Sequence, residues 1–240
     1  MTDPIAILSA SMHADAEQLR VTSQNVANLQ TLGYRREVSV QQSSFDALSA
    51  AYGAGEFAPV APNLQAAIDS RAGPLQLSTN PWSVAIEGEG YFVVSTPSGE
   101  QVTRRGDFSL DASGRLTSHD GLPVLGDAGE ITPPTGTPTI DADGTIHVNG
   151  QVVDRLRRVT ADPKALVPAG DTRFAPATNT ALTESSSNAI RQGFVEGSNV
   201  TPVEELMRLM ETMRHFEMTQ HYVRGTHDLL SDAISTLGKN

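Results

Sequence analysis

At 240 residues the chain is long enough for one ordinary core, or for a compact middle domain with helical arms. Hydrophobic residues make up 38% and charged residues 19%, which excludes both a disordered polyelectrolyte and a bundle of membrane spans. Lys and Arg number 17 against 28 Asp and Glu, a net charge of −11 without the basic footprint that nucleic acid requires, and the lack of cysteine excludes disulfides, thiolate nucleophiles and Cys-based zinc sites.

The first residues carry no basic region, and Asp3 stands where a secretory signal needs Lys or Arg. No apolar run approaches the roughly 18 residues of a membrane span. Export without a cleaved signal, and no membrane insertion, are therefore expected. Asp3-Pro4 reads as a helix N-cap followed by a first-turn proline. Beyond it Ile5, Leu8, Met12, Leu19, Val26 and Leu29 form an apolar stripe at helical spacing, interrupted by Asp15 and Thr22. The helix is expected to stop before Gly33, which suits a left-handed C-terminal position. An N-terminal helical segment thus covers 1–33. The stretch 34–80 and its counterpart 175–199, rich in Ser, Ala, Asn and Gln, read as extended connectors.

Residues 81–174 hold closely spaced glycines and read as a β-rich middle domain. Trp82-Ser83-Val84-Ala85-Ile86 and Tyr91-Phe92-Val93-Val94 flank Glu87-Gly88-Glu89-Gly90, which predicts a hairpin. Further short strands are expected at 101–104, 108–111, 115–118, 122–125, 139–141, 145–148 and 151–159. Asp143-Gly144 and Asn149-Gly150 mark hairpin turns among them.

The second helical segment covers 200–240. Thr201-Pro202-Val203-Glu204 supplies an N-cap, a first-turn proline and a glutamate at the third position, the elements of a capping box. Leu206, Leu209, Met213, Phe216, Gln220, Val223, His227, Leu230, Ile234 and Leu237 then follow at heptad-like spacing, a narrow stripe of coiled-coil type. Neither terminal stripe is wide enough to form a core alone. The spacing leaves two solutions open, an intramolecular hairpin of the two helices or a bundle with helices of other copies. The fold class is α+β: N- and C-terminal helices forming a coiled-coil arm, with a hairpin-rich antiparallel all-β middle domain.

Motifs for chemistry are weak. His215, His221 and His227 recur every six residues, about 120° apart on a helix, too divergent to share one metal ion. Asp141-Ala142-Asp143-Gly144 matches the opening of a calcium loop but lacks the sixth-position glycine and the final glutamate. Arg105-Gly106-Asp107 is the tripeptide read by some adhesion receptors, but three residues are a weak signal and a polar turn explains it better. Gly88-Glu89-Gly90 leads into a strand rather than a helix, unlike a dinucleotide fingerprint. No catalytic, cofactor-binding or metal-binding residue is assigned.

Three separated motifs carry a family resemblance. Ser23-Gln24-Asn25-Val26-Ala27-Asn28, with Thr31, Gly33 and Tyr34, resembles the N-terminal signature of the bacterial flagellar rod and hook axial proteins. The run Ala85-Ile86-Glu87-Gly88-Glu89-Gly90-Tyr91-Phe92, Thr103-Arg104-Arg105-Gly106-Asp107-Phe108, Gly114-Arg115-Leu116 and Asp120-Gly121 is similar to their shared β domain. Glu196-Gly197-Ser198-Asn199-Val200, Glu204-Glu205-Leu206 and Arg214-His215-Phe216-Glu217 resemble their C-terminal motif. Within the family the shortest rod proteins lack the β domain and the hook protein adds outer domains. The length therefore fits the two rod proteins with one middle domain, and Phe216-Glu217-Met218 resembles the proximal member more than the distal one. Thr201-Pro202 departs from the family's usual asparagine and apolar residue.

The resemblance implies a structural subunit of the flagellar basal-body rod, not an enzyme, with no cofactor. Its implied partners are copies of itself, other axial proteins and the flagellar type III export apparatus, with no nucleic acid. Its implied location is the rod, spanning the periplasm and reached without signal cleavage. It further implies that the terminal helices of many subunits form an inner tube and transmit torque. The assembly residues would be Leu8, Met12, Leu19, Asn25, Val26, Asn28, Leu206, Leu209, Met213, Phe216, Val223, Leu230 and Ile234. The alternatives are the distal rod protein, or a self-contained β-domain binding protein with an intramolecular helical hairpin.

Overall fold

The computed structural model describes residues 4–41, 64–170, 172–177, 182–185 and 189–237. These divide into two compact units. One comprises the described residues of 1–27, 37–67 and 201–240, the other those of 28–36 and 68–200.

The first unit is built on two helices, α1 (Pro4–Ala27) and α2 (Pro202–Leu237), packed against each other. A short ladder joins β1 (Glu37–Gln41) to β2 (Leu64–Ile68), and β1 also packs on α1. The start of α2 is the one that the capping residues predict, and its ladder opens with the Glu205 N–H returning to the Thr201 carbonyl at 3.1 Å. The end of α1 differs from expectation. The helix stops at Ala27, and Asn28 turns the chain instead, its carbonyl accepting the Thr31 N–H at 3.2 Å. Gly33 does adopt a left-handed φ of 67°, but not as a helix cap. It lets the backbone pass close to another segment, since a Cβ there would lie 2.6 Å from the Arg105 nitrogen.

The second unit is antiparallel β throughout. Its largest sheet has six strands in the order β15 (Leu166–Pro168), β16 (Arg173–Pro176), β6 (Gly99–Thr103), β5 (Tyr91–Thr96), β14 (Arg158–Thr160) and β17 (Thr183–Glu184). A three-stranded meander, β11 (Pro138–Ile140), β12 (Thr145–Val148) and β13 (Gln151–Arg155), accompanies it. Asn149-Gly150 makes the β12–β13 connection with φ of 54° and 79°, the paired left-handed geometry of a two-residue type I′ turn. Smaller ladders pair β7 (Ser109–Leu110) with β8 (Leu116–Thr117) and β9 (Leu125–Gly126) with β10 (Gly129–Glu130).

Strand β5 explains the unbroken apolar run Tyr91–Val94. Phe92 and Val94 enter one core cluster with Phe108, Leu116, Ile146 and Leu156, while Tyr91 and Val93 enter a second with Val102, Val159 and Phe174. A strand buried on both faces has no polar alternate positions. Phe92 meets Phe108 edge to face, with ring centroids 5.1 Å apart.

Two sequence expectations are corrected here. The hairpin around Glu87-Gly88-Glu89-Gly90 does not form. Strand β4 (Val84–Glu87) pairs with β18 (Ala189–Gln192), whereas β5 pairs with β6 and β14. Val84 and Ile86 still share a core with Phe92 and Val94, so the connection is an arch between two packed sheets, bent by Gly88 and Gly90 at φ of 100° and 128°. A hairpin and an arch carry the same glycine-flanked apolar signal and differ only in tertiary pairing. The β unit also outgrows 81–174. Strands β18, β17 and β19 (Phe194–Glu196) lie in the stretch read as a connector, and β3 (Leu75–Leu77) pairs with β19. Such short strands, with at most one buried apolar residue each, leave little periodicity to read. Of the other connector, residues 42–63 lie outside the described residues.

The Gly106 carbonyl accepts the Val84 N–H at 2.9 Å, and a Cβ on Gly106 would stand 1.9 Å from the Val84 oxygen. Gly106→Ala should accordingly destabilise the β unit by about 1–3 kcal/mol. Urea unfolding followed by the fluorescence of Trp82, the sole tryptophan, checks this, and an unshifted midpoint would show that the two backbones separate freely.

Candidate assembly surface

Helix α2 has two apolar faces. Among its described residues Leu209, Thr212, Phe216, Gln220, Val223 and Thr226 are half-buried, while Glu205 and Thr219 are buried. These lie on the side toward α1. On the opposite side Val203, Leu206, Met207, Met210 and Met213 stand 65%, 49%, 49%, 58% and 50% exposed, and Met218 and Tyr222 continue the exposure. The residues of α1 facing solvent are of another kind: Ser9, His13, Ala16, Arg20, Ser23, Gln24 and Ala27. Among the described residues of the helical unit, the exposed large apolar side chains lie on α2, most of them in its first half.

The predicted assembly residues divide accordingly. Leu8, Met12, Leu19 and Val26 of α1 and Leu209, Phe216 and Val223 of α2 are half-buried. Leu206 and Met213 belong to the outward face, not to the seam in which the heptad pattern places them. Asn28 is half-buried in the turn after α1, where its side-chain oxygen accepts the Thr31 hydroxyl at 3.1 Å. The side chains of Leu230 and Ile234, and of His227, lie outside the described residues. His215 and His221 are both exposed, and among the described residues no group of three or more His, Asp or Glu is placed to hold a metal ion.

Polar contacts fix how the helices meet. Asn25 is 1% exposed. Its Oδ1 accepts the Glu37 N–H at 2.9 Å and its Nδ2 donates to the Glu37 carbonyl at 2.8 Å, so the amide pairs with β1 as a neighbouring strand would. The same Nδ2 reaches Glu205 Oε2 at 3.3 Å, and Glu205 is equally buried. Further along, His215 Nδ1 lies 2.7 Å from Asp15 Oδ2.

The β unit holds a buried charge cluster that motif residues build. Glu196 lies between two guanidiniums, with Oε1 at 2.9 Å from Arg35 Nη2 and Oε2 at 3.5 Å from Arg104 Nη1, all three side chains almost fully buried. Oε1 also accepts the Gly73 N–H at 2.9 Å, and the Glu196 backbone carbonyl accepts the Gly33 N–H at 2.8 Å. Arg35 donates to the Arg71 carbonyl, and Arg104 to the carbonyls of Gly88 and Ile86. Burial pulls the Arg104 guanidinium below its ordinary range, against the carboxylate of Glu196, and pushes the Tyr91 phenol beneath it up. Asn199 completes the arrangement. Its Oδ1 accepts the Arg36 N–H at 2.6 Å and its Nδ2 donates to the carbonyls of Asp69 and Arg71. Through Glu196 and Asn199 the segments 33–36, 69–73 and 196–199 are tied into one piece. Sequence reasoning quoted Arg104, Glu196 and Asn199 as motif residues without assigning them a role, and it passed over Arg35. Three charged residues far apart in sequence give no periodic signal of joint burial.

The comparisons with known proteins agree with this arrangement of parts. Residues 85–148 match the model of the flagellar hook protein FlgE/F/G D1 domain, and residues 191–236 match that of the flagellar basal body rod FlgEFG protein C-terminal. The flagellar basal-body rod protein FlgF of Mesorhizobium japonicum is 34% identical over 99% of both chains. FlgF of Salmonella typhimurium is 34% identical over 84% of both chains. The flagellar basal-body rod protein FlgG of Agrobacterium fabrum is 27% identical over 95% of this chain and 96% of its own.

Removing the anion of the cluster while leaving its cations buried is costly. Glu196→Leu should lower the stability of the β unit by about 3–5 kcal/mol. Equilibrium unfolding read through Trp82 provides the measurement, and a loss below the range of an ordinary surface substitution would deny the cluster its structural part.

Proposed function

The chain belongs to the flagellar basal-body rod proteins, of the FlgF type, and we propose that it enters the rod through the outward apolar face at the start of α2. It is a structural subunit of the basal body. The observation that carries the proposal is the row Val203, Leu206, Met207, Met210 and Met213, each at least 49% exposed on one side of one helix. A contiguous apolar patch of this kind marks an interaction site on a soluble protein. Methionine suits such a site, because its unbranched, polarizable side chain adapts to the surface it meets.

In this reading α1 and α2 bury one face against each other and offer the other to helices of neighbouring subunits, which together form the coiled-coil arm. Leu8, Met12, Leu19, Val26, Leu209, Phe216 and Val223 hold the pair. Leu206 and Met213 face the neighbours, and Leu230 and Ile234 extend the stripe toward the end of α2. Asn25 and Asn28 position the chain as it leaves α1. Neighbours are copies of this chain and other axial proteins of the proximal rod. Long helices packed side by side resist twisting, which fits a part that transmits torque across the periplasm. Passage through the type III export apparatus, without a cleaved signal, would deliver the subunit, and the absence of cysteine means that no disulfide has to be undone for it.

A self-contained β-domain binder would call for an enclosed apolar pocket. Among its described residues the β unit has open clefts of about 580 and 560 Å³, the first edged by Glu100, Arg157, Pro176 and Leu182, the second by Thr139, Asp141 and His147. Both are shallow and open to solvent, unlike the enclosed pockets that hold small ligands.

Leu206→Glu combined with Met210→Glu places two charges on the outward face without touching the seam. The variant should keep its helix content and its β unit, yet be missing from isolated basal bodies, and cells relying on it should not swim. Normal incorporation of this variant would remove the outward face from the assembly surface. Phe216→Asp, by contrast, should both block incorporation and loosen the helix pair, because it buries an unpaired charge.

A further inference from the structure

We infer that Asn25 and Glu205 form a register lock, a buried polar pair that selects one axial pairing of α1 and α2 from several that the apolar seam would accept. The inference concerns a single chain and stands apart from which face the rod uses.

The seam of α2 is periodic. Leu209, Phe216 and Val223 recur every seven residues, all half-buried. Thr212, Thr219 and Thr226 recur at the same interval between them, none exposed. Each threonine hydroxyl donates to a carbonyl four residues back in its own helix: Thr212 to Arg208 at 2.8 Å, Thr219 to His215 at 2.9 Å, Thr226 to Tyr222 at 3.0 Å. A hydroxyl committed in this way makes no demand on the facing helix, which meets chiefly the methyl group. On α1 the half-buried Met12, Leu19 and Val26 also recur every seven residues, beside Val21, Thr22 and Asn25, which are buried. Sliding one helix past the other by seven residues, about 10.5 Å, therefore returns Leu209, Phe216 and Val223, and the three threonines between them, to rows of their own kind on α2. Apolar packing alone does not choose between such pairings.

One position breaks the repeat. A further step of seven from Thr212 toward the N-terminus reaches Glu205, the one charged residue among the described residues of α2 that is not exposed. Facing it is an amide whose hydrogens are both assigned. One Nδ2 hydrogen of Asn25 serves the Glu37 carbonyl and the other serves Glu205 Oε2, while Oδ1 takes the Glu37 N–H. A slip of seven residues would bring Thr212 opposite Asn25 and carry the Glu205 carboxylate away, so a buried donor and a buried charge would each lose this partner. The contact between Asp15 and His215 obeys the same register. It lies ten residues before Asn25 in α1 and ten after Glu205 in α2, as an antiparallel pair in one register requires. A polar pair inside an apolar seam is an established way of specifying register.

The test uses the full-length chain, in which engineered cysteines would be the sole thiols. Asp15→Cys is combined with His215→Cys to report the observed register, and with Arg208→Cys or Tyr222→Cys to report a slip of seven in either direction. Dilute protein is oxidised and the disulfide yields are compared by mass spectrometry. With Asn25 and Glu205 in place, the 15–215 disulfide should exceed either slipped product by roughly tenfold or more. Asn25→Leu with Glu205→Leu should cut that ratio by at least roughly tenfold while circular dichroism reports undiminished helix. Glu205→Gln keeps an oxygen for Asn25 and should preserve the ratio. An unchanged ratio in the leucine pair overturns the inference. So does a leucine pair that loses its helix together with every disulfide, since the polar pair would then supply stability and not register.

Discussion

Helix α2 carries apolar side chains on both of its long sides, and α1 covers only the side that bears Leu209, Phe216 and Val223. The other side keeps Leu206, Met207, Met210 and Met213 about half exposed or more. Apolar area left in water at roughly 25 cal/mol per Å² is a standing drive toward association. The rest of the helical unit is consistent with that constraint. The described residues that α1 turns outward are serine, histidine, alanine, arginine and glutamine. Membership of a family of rod subunits gives this surplus a destination, because a subunit that must polymerise has to leave part of its core unfinished.

The β unit builds its own interior from two core clusters. Its central strand β5 is buried on both faces, and its two core clusters draw on side chains from segments as distant as Trp82 and Ile190. Where the chain enters and leaves this unit, hydrophobic packing gives way to buried charge. Arg35, Arg104 and Glu196 tie residues near the first junction to residues near the last, with backbone carbonyls of Arg71, Gly88 and Ile86 taking up guanidinium hydrogens. Charge so deeply buried adds little net stability over an apolar alternative, but it tolerates only one arrangement of partners. It thus fixes how the segments around Arg35, Arg104 and Glu196 meet within the β unit.

Much of this plan was legible in the sequence, and the illegible parts have a common cause. The bounds of α2 follow from Thr201, Pro202 and Glu204, and the turn at Asn149-Gly150 follows from two residues that adopt left-handed backbone readily. Both signals are local. Whether Glu87–Gly90 makes a hairpin or an arch depends on which strand arrives beside β4, and that strand is β18, about a hundred residues later. The division of α2 into faces was ambiguous for a geometric reason. Leu206 and Leu209 are three residues apart and so differ by about 60° around the helix, close enough for one stripe to claim both. The flagellar motifs include Asn25, Glu196 and Asn199, yet each satisfies buried polar atoms of a different partner, Glu37 and Glu205 for Asn25, Arg35 and Arg104 for Glu196, Arg36 for Asn199, and a list of motifs cannot show which partner each will find.

The polar residues of the helix seam then need a reason of their own. An all-leucine seam between α1 and α2 would bury more apolar area than one containing Thr22, Asn25, Glu205 and Thr219. It would also be more tolerant of sliding, since heptad-spaced leucines fit their neighbours at every seventh residue. In an isolated protein such tolerance costs little. In an assembly the outward methionines move with α2, so a slipped helix would carry the assembly face about 10.5 Å out of line with its neighbours. Selection for a repeating structure therefore favours a seam that gives up some apolar contact for a buried pair with one correct partner. On this view the buried amide of Asn25 bears on assembly as directly as the proposed apolar face, because it sets where that face stands along α1.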